Sequence, residues 1–391
     1  MPMNTDVKIF HSQMVGAPAK MSNLAGTALA VLDACLVNGF GLVTASSVVI
    51  VNGVATMSFP SGHSFEKYTV ALVAGATSAG LNGEHRIIAT TANSASFEVA
   101  LADQTATGTI TAKVAPAGWE KPFSATNIGV FKSLKPSATG CYFRVDDSTA
   151  SAYSFTVDGY ETMADSATGT GLFQATYRHF IKTASLDSSL RHWMIIANGS
   201  MVYIGISNLV ASGGYGYQWG AFGDIKSRKS NDAYRAFIRG NFSANQSLSN
   251  HQMYSVFYGA VGSDVGVLVR DFTGVSGARR CHPMMYPDAS GTFGGASGTP
   301  YPNGADYSLL LQRVHVLEAD RNIRGWMPGM VTSPQNLMAH ITTALGTPLV
   351  FMTSIPDMPG SVLLAVPICT SQNVNDYWCA GFFDIGLAWG N

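Results

Sequence analysis

Charge is what this sequence lacks. Of its 391 residues only 23 are basic and 24 acidic, which makes 12% charged, about half the share of an ordinary soluble domain. The formal net charge is −1, so the total offers no attraction for nucleic acid or an anionic membrane. The dense Glu, Lys and Arg of a coiled coil are missing too. Disorder is excluded from the other side, because 47% of the chain is apolar and 10% aromatic, enough to build cores. Long apolar runs are also absent. The best stretch, 25–37, is interrupted by Asp33 and stops at Asn38-Gly39, and 361–368 is far short of the roughly 20 residues that span a bilayer. The irregular spacing of apolar runs argues against a membrane barrel. The opening MPMNTDVKIF lacks the basic-then-apolar layout of a signal peptide, so the expectation is synthesis in the cytoplasm without export by that route.

Cysteine is sparse: Cys35, Cys141, Cys281, Cys369 and Cys379. The number is odd, the spacing wide and no Cys-x-x-Cys occurs, which predicts buried free thiols and disfavours zinc. A local Cys369–Cys379 staple stays open.

Several catalytic signatures are missing as well. No Gly-Lys is followed by Ser or Thr, so there is no phosphate-cradling loop. Gly214, Gly216 and Gly220 miss the dinucleotide spacing and have no strand–helix units around them. Gly295-Ala296-Ser297-Gly298 lacks the last glycine of a nucleophile elbow. Pro60-Ser61-Gly62-His63 resembles the central element of phosphatidic-acid phosphatases, but no Arg-Pro exists and Tyr234 stands where a second histidine is needed; it reads as a turn. The histidines are isolated: His315 and Glu318, three apart in a strand, point to opposite faces, and His179, His192 and His282 have no ligand partners in register. No cofactor, metal ligand or catalytic residue is assigned. For a glycan hydrolase the available acids are Asp306, Glu318, Asp320 and Asp146-Asp147, since such enzymes work with two carboxylates. Arg321 and Arg324 beside Glu318 and Asp320 explain those acids equally well as internal salt links.

What is present is β-structure, so the expected class is mainly β. A short strand is expected at 6–10. Leu24, Ala28, Leu29, Leu32, Cys35 and Leu36 recur at helical spacing and predict one amphipathic helix, completing an N-terminal segment over 1–43. Strands at 48–51, 54–59, 69–73, 86–91, 95–99 and 109–114, the first two joined by Asn52-Gly53, predict a small immunoglobulin-like β-sandwich over 44–115. The proline-broken APAGWEKP opens a larger β-rich domain over 116–391. There, 193–197 and 201–206 bracket Asn198-Gly199-Ser200, and long strands are expected at 265–272, 307–317 and 362–368. Helices are few, at 231–239 and 334–343, and Gly-rich loops are expected at 212–223 and 291–304. The loop at 212–223 carries Tyr215, Tyr217, Trp219 and Phe222, and Tyr377 stands beside Trp378. Such rings stack on sugars or anchor interfaces, and they also pack in cores.

VKIFHSQMVGAP, LAVLDACLVNGFG, LNGEHRI and APAGWEKPF, with AFGDIKS, IRGWMPGM and FFDIGLAWG further on, resemble a family of virion structural proteins of tailed bacteriophages. The similarity spans nearly the whole chain, more loosely in the middle. It implies a multi-copy part of the tail, baseplate or fibre-attachment region in a virion, with partners that are further copies of itself and other virion proteins. No nucleic acid and no membrane insertion are expected. A receptor- or glycan-binding tail-tip protein is the first alternative, with the six aromatics as contact surface; a polysaccharide or cell-wall hydrolase is the second. A surface poor in charge suits either assembly reading, because interface centres are depleted of charge.

Overall fold

The structure is a computed structural model and describes residues 2–183, 186, 188–207, 217–241, 256, 266–284, 299–300, 302–333, 335–336, 349–353, 355, 358–369 and 377–389, with backbone alone at 284, 299, 336, 367–369 and 377–380. It is mainly β, as expected, with one helix and large sheets. None of its helices is long and apolar enough to cross a membrane.

The leading arm forms the strand Lys8–His11. It runs antiparallel to Trp193–Ala197, with Lys8 opposite Ala197 and His11 opposite Met194, so it is an outer strand of the large sheet. The helix follows, α-helical over Thr27–Leu32 and π-helical over Asp33–Asn38. Its stripe of Ala28, Leu29, Val31, Leu32, Cys35 and Leu36 is buried, whereas Leu24 precedes the helix and is exposed.

The small unit contains the six expected strands, plus Phe40–Thr44 and the two-residue Gln104–Thr105. The Asn52-Gly53 turn has positive φ at both residues, 50° and 74°, the backbone that a two-residue hairpin needs and that Asn-Gly tolerates. Its strands form two halves that share one core. One long strand, Gly83–Thr91, serves both halves: its first four residues pair with Val70–Ala74 and its last five with Ser94–Glu98. The register slips between Ile87 and Ala89, a bulge that lets one strand turn the corner of a folded sheet. Val48, Ile50, Met57, Val73, Phe97 and Ala112 from the two halves fill one core.

Beyond Ala115 comes a five-stranded antiparallel meander: Trp119–Ala125, Ile128–Ser133, Tyr142–Asp146, Ser154–Tyr160 and His179–Ile181. The large sheet carries thirteen strands. One edge of its strand Tyr217–Asp224 pairs with Met201–Ser207 along its length. The other edge is divided, with residues 221–224 against Ala236–Arg239 and Tyr217 in parallel with Ile368 of Leu363–Cys369. The sheet thus curls back on itself around a second core holding Trp219, Phe237, Leu268, Val316, Leu364 and Phe383.

Four expected elements are corrected. The helix at 231–239 is a turn followed by the strand Ala236–Arg239. Phe237 enters the second core and Ile238 the first, and a strand buried on both faces shows no alternation to read. The strand expected at 307–317 begins later, as Gln312–Glu318, and that expected at 265–272 is Gly266–Leu268. Of the helix at 334–343, residues 335–336 form a short strand and the rest lie outside the described residues, as does the loop at 291–304 apart from 299–300 and 302–304.

Candidate functional site

The aromatic stretch expected as a contact loop does not lie on the surface. Tyr215 is outside the described residues, but Tyr217, Trp219 and Phe222 sit in a central strand and are 4%, 0% and 0% exposed. Trp219 packs 5.1 Å from Phe383, while Phe222 faces the other core, 5.8 Å from Trp119 and 5.2 Å from Phe143. The glycines that suggested a loop make room for rings. A Cβ on Gly220 would lie 2.5 Å from Phe180, and one on Gly205 would lie 2.9 Å from Trp219. No sugar reaches these three side chains in this fold. Tyr377 and Trp378 open the strand Tyr377–Asp384, and their side chains lie outside the described residues. So do the sulfurs of Cys369 and Cys379, although Ile368 pairs with Cys379 along the backbone. Cys35, Cys141 and Cys281 are buried free thiols, and burial raises the Cys35 thiol and pushes that of Cys141 up to about 12.

His63 secures the turn read from Pro60-Ser61-Gly62-His63. Its Nε2 lies 2.9 Å from the Thr91 carbonyl and 3.0 Å from that of Ser94, and its Nδ1 accepts the Phe65 N–H. Each acid considered for hydrolysis is likewise held by donors. Glu318 is bound by Arg324 at 2.6 Å and Arg279 at 3.2 Å; Arg279 also binds Asp320. Arg321, expected to share in these links, instead donates its backbone N–H to the Glu318 carbonyl at 2.8 Å, in a turn where its φ is positive. Asp306 accepts from Asn303 and Ser308 in an exposed turn. Asp146 pairs with Arg144 at 3.1 Å. Asp147, fully buried, pairs with Lys182 and accepts the Ala28 N–H at 2.9 Å, so it caps the helix from outside. Burial raises the pKa of Asp147 against the pull of Lys182. No group of three His, Cys, Asp or Glu that could hold a metal occurs among the described residues.

Polar side chains that no local pattern announces join the parts of the molecule. Arg86, in the small unit, donates to the carbonyls of Asn4, Val7, Tyr68 and Ile385 at 2.7–3.0 Å. Burial lowers its pKa to about 10, still charged at neutral pH. Lys8 of the arm reaches Glu84 at 2.8 Å. Asp6 accepts from Lys135 at 3.0 Å, Asn198 at 2.8 Å and the Trp389 N–H at 3.0 Å. Arm, small unit, meander and carboxy-terminal segment therefore meet at two residues.

Burial raises the Asp6 carboxyl, but the bond from Asn198 and the charge of Lys135 outweigh it and leave its pKa lowered. Between the folded and unfolded values the unfolded chain binds more protons, so this contribution is complete above the ordinary carboxylate value and is lost as pH falls through the folded one. Protection of Lys8–His11 against hydrogen exchange, taken relative to the intrinsic rate at each pH, should therefore fall below about pH 4, and Asp6→Ala should show the lower protection already at neutral pH. Equal, pH-independent protection in both proteins would remove Asp6 as the latch.

Besides one of about 480 Å³ lined by Thr139, Lys229, Asp232 and Arg235, two concavities among the described residues are open. One, of about 530 Å³, lies over the meander and is lined by Asp146, Ser154, Thr156, Arg178 and His179. Its charges are already matched, Arg144 with Asp146 and Arg178 with Asp158 at 2.9 Å. The other, of about 270 Å³, opens beside Trp326 and is lined by Lys226, Arg313, Met358, Asp384 and Leu387. Its two basic residues have no acidic partner among the described residues.

No family model matches the chain, and no curated protein is similar to it. Among solved structures it is similar to phage phi92 endosialidase, with 11% identity over 89% of this chain and a TM-score of 0.17. The chain spans 52% of that protein's length, and a likeness of this size carries no argument about fold or activity.

Proposed function

We infer that this chain is a structural subunit of a tailed-phage virion, present in several copies in the tail, baseplate or fibre-attachment region. The family resemblance of its sequence supports the virion, and one structural observation supports assembly. Charge already scarce in the sequence is drawn further inward: Lys8, Arg86, Asp147, Asp158, Lys182, Arg191, Asp224, Asp232, Arg235, Arg239, Glu318, Arg324 and Asp384 are all buried. Meanwhile Leu42, Val49 and Val51 point outward from the small unit at 70%, 40% and 52% exposure, where a free antiparallel sheet carries polar residues. A surface with this balance is suited to being covered. The hydrolase reading requires two carboxylates free across a cleft, and the acids named for it are occupied by donors.

Sedimentation of the purified chain tests the proposal. Concentration-dependent association is expected, weakened by Val49→Lys and Val51→Lys together. A monomer at all concentrations that also cross-links to nothing in intact particles would sink it.

A further inference from the structure

Lys226 stands opposite Trp326, and Trp326 opposite His315, across three adjacent strands. Residues directly opposite in antiparallel strands share a face, so these three side chains lie in one row. The face beneath them is core: Ile225, Val314, Val316 and Met327 are 0% exposed. Arg313, two residues from His315, brings its guanidinium to 5.2 Å from the Trp326 ring centre. Arg228, two residues from Lys226, completes the group. Burial first, then the charges of Arg228 and Arg313, lower the pKa of His315, which leaves three fixed cations around a neutral imidazole.

Between Trp326 and Val331 the strand bulges: His315 pairs with Trp326, but Arg313 pairs with Val331. That bulge, Met327-Pro328-Gly329-Met330, forms a wall of the 270 Å³ cavity. Bulges concentrate at sites because they re-aim side chains and end pairing locally. Elsewhere arginines are neutralised, as at Arg144, Arg178, Arg270, Arg279 and Arg324. Lys226, Arg228 and Arg313 join no ion pair among the described residues. Asp384, in the cavity lining, is turned to Ser361 Oγ at 2.6 Å and the Gly386 N–H at 3.0 Å. The cavity thus presents a half-buried indole, an apolar side at Met358 and Leu387, and two cations, Lys226 and Arg313, against the single carboxylate of Asp384.

We propose that this cavity binds one residue of an acidic polysaccharide, with the sugar ring against Trp326 and its carboxylate on Arg313 and Lys226. The size fits, since the cavity lies just under the roughly 300 Å³ at which small-molecule pockets begin and admits a single ring of a longer chain. An indole face takes the apolar side of a sugar, and a guanidinium binds a carboxylate through paired N–H groups. Inorganic phosphate would leave the indole and the apolar side unused. A nucleic acid strand calls for an extended basic groove with several stacking rings, whereas here the half-buried Trp326 and the buried Trp389 line one small cavity.

The test titrates the full chain with tetragalacturonate and with a hyaluronan tetrasaccharide. Neutral galactotetraose and inorganic phosphate serve as controls, and both calorimetry and indole fluorescence are read. At least one acidic oligosaccharide should bind about tenfold or more tightly than either control, the size of one charge-assisted bond. R313Q and K226Q, both changes of accessible side chains, should each weaken it about tenfold. Trp326→Ala should abolish the fluorescence response and Trp326→Phe should keep part of the affinity. Failure of both acidic ligands, equal binding of galactotetraose or phosphate, or affinity indifferent to R313Q would each overturn the assignment. Circular dichroism of R313Q matching the parent chain separates lost binding from lost fold.

Discussion

Arg324→Met should destabilise the protein by about 3–5 kcal/mol, the cost of leaving buried charges unpaired. The Arg324 side chain is 0% exposed and donates to both oxygens of Asp232, at 2.8 and 2.9 Å, and to Glu318 at 2.6 Å. Its guanidinium also lies 4.0 Å over the Phe272 ring. Burial raises the pKa of Asp232, but the bonds from Arg324 and Ser227 outweigh it and leave that pKa lowered. Without the arginine, Asp232 has no ion-pair partner among the described residues, and Glu318 keeps only the partly exposed Arg279 at 3.2 Å. A loss of this size is a large fraction of the roughly 5–15 kcal/mol that holds a typical protein together. Urea unfolding should show a lowered midpoint with an unchanged slope. Arg324→Lys should recover only a small part, because an ammonium cannot span Asp232 with two parallel bonds. A loss below about 1 kcal/mol, typical of an exposed pair, would show that the network is solvated.

Lys182→Met should be comparably costly, at about 3–5 kcal/mol, through Asp147. That carboxylate links the helix N-terminus, by way of the Ala28 N–H, to an ammonium that also donates to the Leu24 carbonyl at 3.0 Å. Removing only the lysine strands a buried acid. The double variant D147N/K182M should cost clearly less than the sum of its single changes, since it removes both charges together. Strict additivity in that cycle, read by denaturant titration, would show that the two groups do not depend on each other.

Legibility of the fold followed burial on one face against burial on two. In the small unit Ser47–Val51 alternates outward and inward, so period-two reading placed nearly every strand, and Asn52-Gly53 marked its hairpin. In the large sheet Met201–Ser207 and Tyr217–Asp224 are buried at every position. There the alternation distinguishes one core from another, and both kinds of position carry mostly apolar residues or glycine. That is why Trp219 and Phe222 resembled a sticky loop and Phe237-Ile238 a helix. Salt links at Glu318 could be expected from the neighbouring arginine at 324, six residues away. Asp232, the other partner of Arg324, is 92 residues away, and no local pattern announces it. Trp326 was visible only as part of a similar motif; its row with Lys226 and His315 arises from strand pairing.

The latch at Asp6 also fixes an order of events during synthesis. Lys8–His11 leaves the ribosome before its strand partner, which begins at Trp193, and one donor to Asp6 is Trp389, 383 residues later. At about 5–20 residues per second, the arm waits on the order of 20–80 s for that donor. Until Trp193–Ala197 emerges, about half-way through that interval, VKIF lacks its strand partner and can join a neighbouring nascent chain. Long-range pairings of this kind fold slowly. Crowded polysomes should therefore favour arm exchange between copies, and slower initiation should raise the yield of correctly closed subunits.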